Sequence, residues 1–126
     1  MIKPIFELGN YQAAKKMMDA THVRQKALAA NLANVETPGY KRIDIDPRFH
    51  TEFRKAMQEG DFGRVSNLRP ALQIDRDAVA QNRDGNTVQL ESELMLMNKN
   101  SLEHSLEARL VTGTIKYLKH AITGRS

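Results

Sequence analysis

The side chains with chemistry to offer are four histidines and fifteen carboxylates; cysteine is absent. Ser101 and His104 stand three apart, the helical spacing of a nucleophile and its base. That pair would need an orienting acid and an oxyanion donor, and the neighbouring sequence supplies no such set. His22, His50, His104 and His120 fall into neither an HExxH pattern nor a facial ligand set with carboxylates. Asp44 and Asp46 alternate with isoleucines, and Asp75 and Asp77 flank Arg76. Carboxylates two apart in an extended segment share a face. A cation would suit them, but a solvated loop explains the pattern equally and is the preferred reading. The missing cysteine excludes disulfides, thiolate catalysis and Cys-based metal sites. Gly60 and Gly63 are too isolated for a phosphate loop. The expectation is a protein with no catalytic residue, no metal, no cofactor and no small-molecule substrate.

Amides are the more telling polar groups. In ANLANVETPGY, Asn31 and Asn34 share a helical face, and Ala29, Ala30 and Ala33 leave room for another backbone to approach. An asparagine amide both donates and accepts, so it can pair with backbone groups of an adjoining segment. Thr37-Pro38-Gly39-Tyr40 then turns the chain. Pro38 pre-sets φ, and Gly39 allows the positive φ of a type II turn. Tyr40 is placed to cover the helix end.

These residues need long helices to position them. Tyr11, Ala14, Met18, Thr21, Gln25, Leu28, Leu32 and Val35 recur in steps of three and four, predicting a helix over 5–35. Leu90, Leu94, Met97, Ser101, His104, Ala108, Val111, Ile115, Leu118 and Ile122 do the same, predicting a second helix over 87–122. Asp84-Gly85 makes a turn before it, and Asn86, with Gln89 three residues on, reads as its N-cap. The expected fold is all-α: two long helices paired as an antiparallel coiled-coil hairpin, within one axial domain over 1–126. Residues 36–86 would hold the turn and a long, weakly structured middle segment. Phe49, Phe53, Ala56 and Met57 suit a short helix there, and residues 71–74 a short extended piece. Matching polar layers sets the hairpin register, with Thr21 or His22 opposite His104 and Gln25 opposite Ser101. The seam would hold Tyr11, Met18, Leu28, Leu32, Leu94, Met97, Val111, Ile115 and Leu118. A second stripe, Met95, Leu102, Leu106, Leu110 and Tyr117, falls largely off that seam. One hairpin cannot cover both, so this stripe is expected to face another subunit.

Net charge is +4 with a pI near 9.5. Lys15, Lys16, Arg24 and Lys26 could make a basic face, and the alternative function is a small helical hairpin that binds nucleic acid. The basic residues are dispersed and lack interleaved aromatics, so no nucleic acid is the preferred expectation. No apolar run approaches the ~20 residues of a membrane span. MIKPIFELGN lacks the apolar core of a cleaved signal.

ALAANLANVETPGYKRIDID, DGNTVQLESE and NSLEHSLEARLVTGTIKYLKHAI resemble the flagellar basal-body rod proteins across residues 10–50 and 83–122. The Asn-x-x-Asn-Val-x-Thr-Pro-Gly-Tyr block is characteristic of axial rod and hook proteins. The segment 84–88 in so short a chain points to the proximal rod. The resemblance implies a structural, elongated subunit that assembles helically with its own copies and other rod proteins, transmitting motor torque across the periplasm. It implies contact with the basal-body membrane ring or its rod adaptor, and passage through the flagellar export apparatus without a cleaved signal. It gives Asn31, Asn34, Val35, Thr37, Pro38, Gly39 and Tyr40 the role of an assembly signature.

Overall fold

The computed structural model describes residues 2–124. Its elements in chain order are α1 (Ile2–Ala33), β1 (Ile43–Ile45), α2 (Pro47–Gln58), α3 (Phe62–Asn67), β2 (Leu72–Ile74) and α4 (Leu90–Thr123). Pro4 sits in the first turn of α1, where an N–H would lack an intrahelical acceptor anyway. α1 and α4 lie side by side in opposite directions: Asn31 reaches Glu93, and Thr21 reaches Glu107.

The expected two-helix hairpin with a weakly structured middle is not what forms. Among the described residues four helices are present, and the middle segment is a folded unit with a two-stranded sheet. β1 and β2 are antiparallel, with Ile43 opposite Ile74 and Ile45 opposite Leu72. Asp46 N–H to Ala71 O (2.8 Å) and Asp75 N–H to Arg42 O (2.9 Å) extend the ladder at both ends. Strands this short are marginal alone, so they depend on what they pack against. Asp46 caps α2 by accepting from Arg48 N–H at 3.0 Å, with Pro47 at the first helical position. Asp61 caps α3 through Arg64 N–H, also at 3.0 Å.

The apolar core lies between α1 and this middle unit. Ala20, Ile45 and Phe49 are buried together, with Met17, Val23 and Leu68 packed on them. Ala13, Ala20 and Ala27 are buried at seven-residue steps, and their small side chains permit close approach. At Gly9 the Phe62 ring lies so near the α1 backbone that an added Cβ would sit 2.6 Å from it. That contact holds α3 against α1.

The α1–α4 contact is of another kind. The buried residues of α4 are Glu93, Asn100, Glu107 and Thr114. They repeat every seven residues, one position before the expected Leu94, Ser101, Ala108 and Ile115. Leu94 and Ile115 are exposed, while Met97, Val111 and Leu118 are half-buried as the helix rotates toward its polar line. On α1, Leu28 is buried, and Tyr11, Met18 and Leu32 are half-buried. The reason is hydrogen bonding. Thr21, Gln25 and Asn31 point toward α4, and leaving such buried groups unpaired costs about 1–3 kcal/mol each.

Candidate functional site

The signature segment builds a junction at the end of α1. α1 stops at Ala33, and Asn34 N–H still reaches Ala30 O at 3.2 Å. Tyr40 N–H donates to Thr37 O at 3.2 Å across Pro38, and Gly39 takes φ +74°, closing the expected turn. Asn34 donates to Ala30 O (2.8 Å) and accepts from Thr37 Oγ1 (3.1 Å), a local cap on the helix end.

Asn31 is fully buried and uses all its capacity. Its Nδ2 donates to Ile43 O (2.8 Å) and Glu93 Oε2 (3.2 Å). Its Oδ1 accepts from Ile43 N–H (2.9 Å) and Tyr40 Oη (3.3 Å). One amide therefore pairs with a backbone residue of β1 while touching α4. Val35 is half-buried beside this turn, and Pro38 is exposed.

Asp84, Gly85 and Asn86 do not cap α4. That helix starts at Leu90 with Gln89 as N-cap and no side-chain cap bond. Asn86 serves the other helix instead: its Nδ2 donates to Asn34 O, Val35 O and Thr37 O at 2.8, 3.0 and 2.8 Å. Its Oδ1 accepts from Val88 N–H at 2.8 Å. The amide is thus committed to the carbonyls ending α1. Gly39 N–H donates to Asp84 O (2.8 Å), and Lys41 Nζ donates to Gly85 O (2.8 Å). The two distant sequence motifs form one junction.

Behind it lies a buried charge network that inspection of the sequence missed. Arg42 donates to Glu93 Oε1 at 2.6 Å, to Asp75 Oδ2, and to Asp44 Oδ2 at 3.2 Å. Glu93 is only 1% exposed, so the guanidinium is its necessary counter-charge. Burial presses the Arg42 pKa down, but its bonds to Glu93 and then Asp75 outweigh that and raise it. Arg24 holds Asp44 with two bonds, 2.9 and 3.1 Å. Burial opposes the Asp44 charge, yet Arg24 and Arg42 keep its carboxyl below the usual range. Thus Asp44 and Asp75 are arginine partners. Among the described residues no group of three His, Asp or Glu side chains could hold a metal. The only sequence signal was the alternation of Arg42 and Asp44.

Of the basic face in the nucleic-acid reading, Arg24 is committed to Asp44 and Lys16 is buried, while Lys15 and Lys26 are exposed. The second stripe has the opposite fate. Met95, Leu102, Leu106 and Leu110 keep 59 to 72% of their surface exposed, and Tyr117 is half-buried. Leu90, Leu94, Ile115 and Ile122 are exposed as well.

A family model described as "Flagella basal body rod protein" matches residues 14–41, which run through α1 into the junction. The chain is 33% identical over 115 residues to the flagellar basal body rod protein FlgB of Escherichia coli, covering 79% of this chain and 82% of that one. The chain belongs to the flagellar basal-body rod protein family. FlgB of Cereibacter sphaeroides is 34% identical over 110 residues, covering 80% and 84% of the two chains. FlgB of Proteus mirabilis is 29% identical over 109 residues, covering 74% and 78%. As a rod protein the chain is a structural subunit of the flagellar basal body and not an enzyme. The nucleic-acid reading has no support in these relationships.

Proposed function

We propose that this rod protein forms part of the proximal rod, where its subunits join copies of themselves and other rod proteins through the outer face of α4. The observation that carries this is the inversion of α4. Its inward line is polar, while Met95, Leu102, Leu106 and Leu110 face outward. Full burial of each such side chain is worth about 1.5–3 kcal/mol, a large gain available only from a neighbour. Tyr117 would sit at the edge of that interface. A self-repeating contact that does not close builds a helical filament, the form a torque-transmitting rod requires.

The signature residues Asn31, Asn34, Val35, Thr37, Pro38, Gly39 and Tyr40 would act one step back. By locking α1, β1 and the segment before α4 into one body, they set the angle at which the chain, as one axial domain, meets its neighbours. The ring or adaptor at the rod base and the export apparatus are the further partners of this reading, with passage through the latter needing no cleaved signal.

The test is a Leu102→Lys, Leu106→Lys double variant. Its circular dichroism and urea midpoint should match the parent within about 0.5 kcal/mol, since exposed positions tolerate substitution. It should fail to restore swimming, or incorporation into basal bodies, in cells lacking the parental chain. Normal swimming would sink the assignment of the stripe.

A further inference from the structure

The groove between α1 and the end of α3 takes no part in the junction or the stripe. It has a volume of about 660 Å³, and its lining includes Tyr11, Lys15, Lys16, Asp19, Arg69 and Pro70. Three cations there meet one carboxylate. Lys16 is only 8% exposed, and among the described residues its ammonium pairs with Asp19 Oδ2, at 3.8 Å. Burial first, and the charge of Arg69 second, lower the Lys16 pKa from the ordinary 10.5. Arg69 does not relieve this: its bonds run to Ser66 O and Leu68 O, both 3.0 Å and both backbone carbonyls. Lys16 on α1 and Arg69, on a segment anchored through Phe62 on Gly9, therefore line one groove in which Asp19 is the single lining carboxylate.

A carboxylate seated between them would relieve the repulsion and take charge-assisted hydrogen bonds, which the fork of Arg69 is shaped to give. The groove is larger than one anion needs. From Tyr11 to Val23 it follows α1 for roughly 18 Å at the helical rise, and Tyr11, Val23 and Pro70 give it apolar wall. We propose that this groove binds an acidic peptide segment of a partner protein, with a Glu or Asp carboxylate between Lys16 and Arg69 and an apolar side chain against Tyr11 and Pro70. This is a second surface, separate from the α4 stripe, and it does not rest on the rod-packing reading.

The experiment is fluorescence anisotropy of the full chain with a fluorescein-labelled Leu-Glu-Glu-Leu-Glu peptide and its all-Gln counterpart. Saturable binding of the Glu peptide is expected, weakening with salt. Lys16→Met and Arg69→Gln should each lose about tenfold in affinity, the scale of one charge-assisted bond. Lys99→Gln on α4 makes the same charge change and should stay within about twofold. Should Lys16→Met fail to fold by circular dichroism, exposed Arg69→Gln decides alone. The proposal is overturned by absence of saturable binding, by equal binding of the Gln peptide, or by an equal loss in Lys99→Gln. Tighter binding of inorganic phosphate or of oligothymidylate than of the peptide would overturn it too, reassigning the groove to a free anion or to nucleic acid.

Discussion

α1 has two partners, and they hold it by different physics. Toward the middle unit it presents Ala20 with Met17 and Val23, against Ile45, Phe49 and Leu68. Toward α4 it presents Thr21, Gln25 and Asn31, against His104, Glu107, Asn100 and Glu93. The first contact is centred on an apolar cluster, with Arg24–Asp44 and Asn31–Ile43 bonds at its side. The second is a set of directional bonds, worth about 1 kcal/mol net each but expensive to leave half-made. The middle unit thus shares an apolar core with α1, while α4 is held in register by polar contacts and keeps apolar surface outside.

The comparison can be broken most severely at Arg42. Arg42→Met strands Glu93 as an uncompensated buried charge and should cost about 3–5 kcal/mol of stability in urea unfolding. Adding Glu93→Leu should recover part of it; no recovery would mean that Asp44 and Asp75 are the partners that matter. On the apolar side, Phe49→Ala should cost about 3 kcal/mol through lost burial and a residual cavity. Asn100→Ala should cost only about 1 kcal/mol, because this amide is itself half-satisfied. Its Nδ2 donates to Thr21 O and Gln25 Oε1, both at 2.8 Å, but its Oδ1 has no hydrogen-bond partner among the described residues. An Asn100→Ala loss as large as that of Phe49→Ala would erase the distinction between the two faces.

The smallest effect is the dependence on pH. Glu107 is buried against Thr21, and burial raises its pKa above the ordinary 4.5, the Thr21 bond only partly offsetting it. A carboxyl raised in the folded chain contributes stability that is full below the unfolded value and is lost as pH rises through the folded one. The parent should therefore lose some stability from pH 4.5 upward, and Glu107→Gln should flatten that slope. An unchanged slope in the variant would place the titration elsewhere.

The two long helices, the turn at Thr37–Tyr40 and the outward placement of Met95, Leu102, Leu106 and Leu110 were legible in local spacing. Periodicity and turn chemistry depend on residues a few positions apart. The signature asparagines were legible as groups seeking backbone partners, though not which partners. Asn86 was misread because its three acceptors lie 49 to 52 residues away, while a capping box is a local pattern. The seam of α4 was misread for a related reason. Hydrophobic periodicity favoured Leu94 and Ile115, and only the tertiary structure showed Asn31 and Arg42 waiting for Glu93. The middle segment reads as weakly structured, with one short helix and one extended piece, because its strands are three residues long and pack on α1.

By itself, then, the sequence determined the helical periodicities, the helix-ending turn and the family. Tertiary structure alone decided which helical face turns inward. That choice depends on pairing buried polar groups across long sequence separations, and no local pattern encodes it.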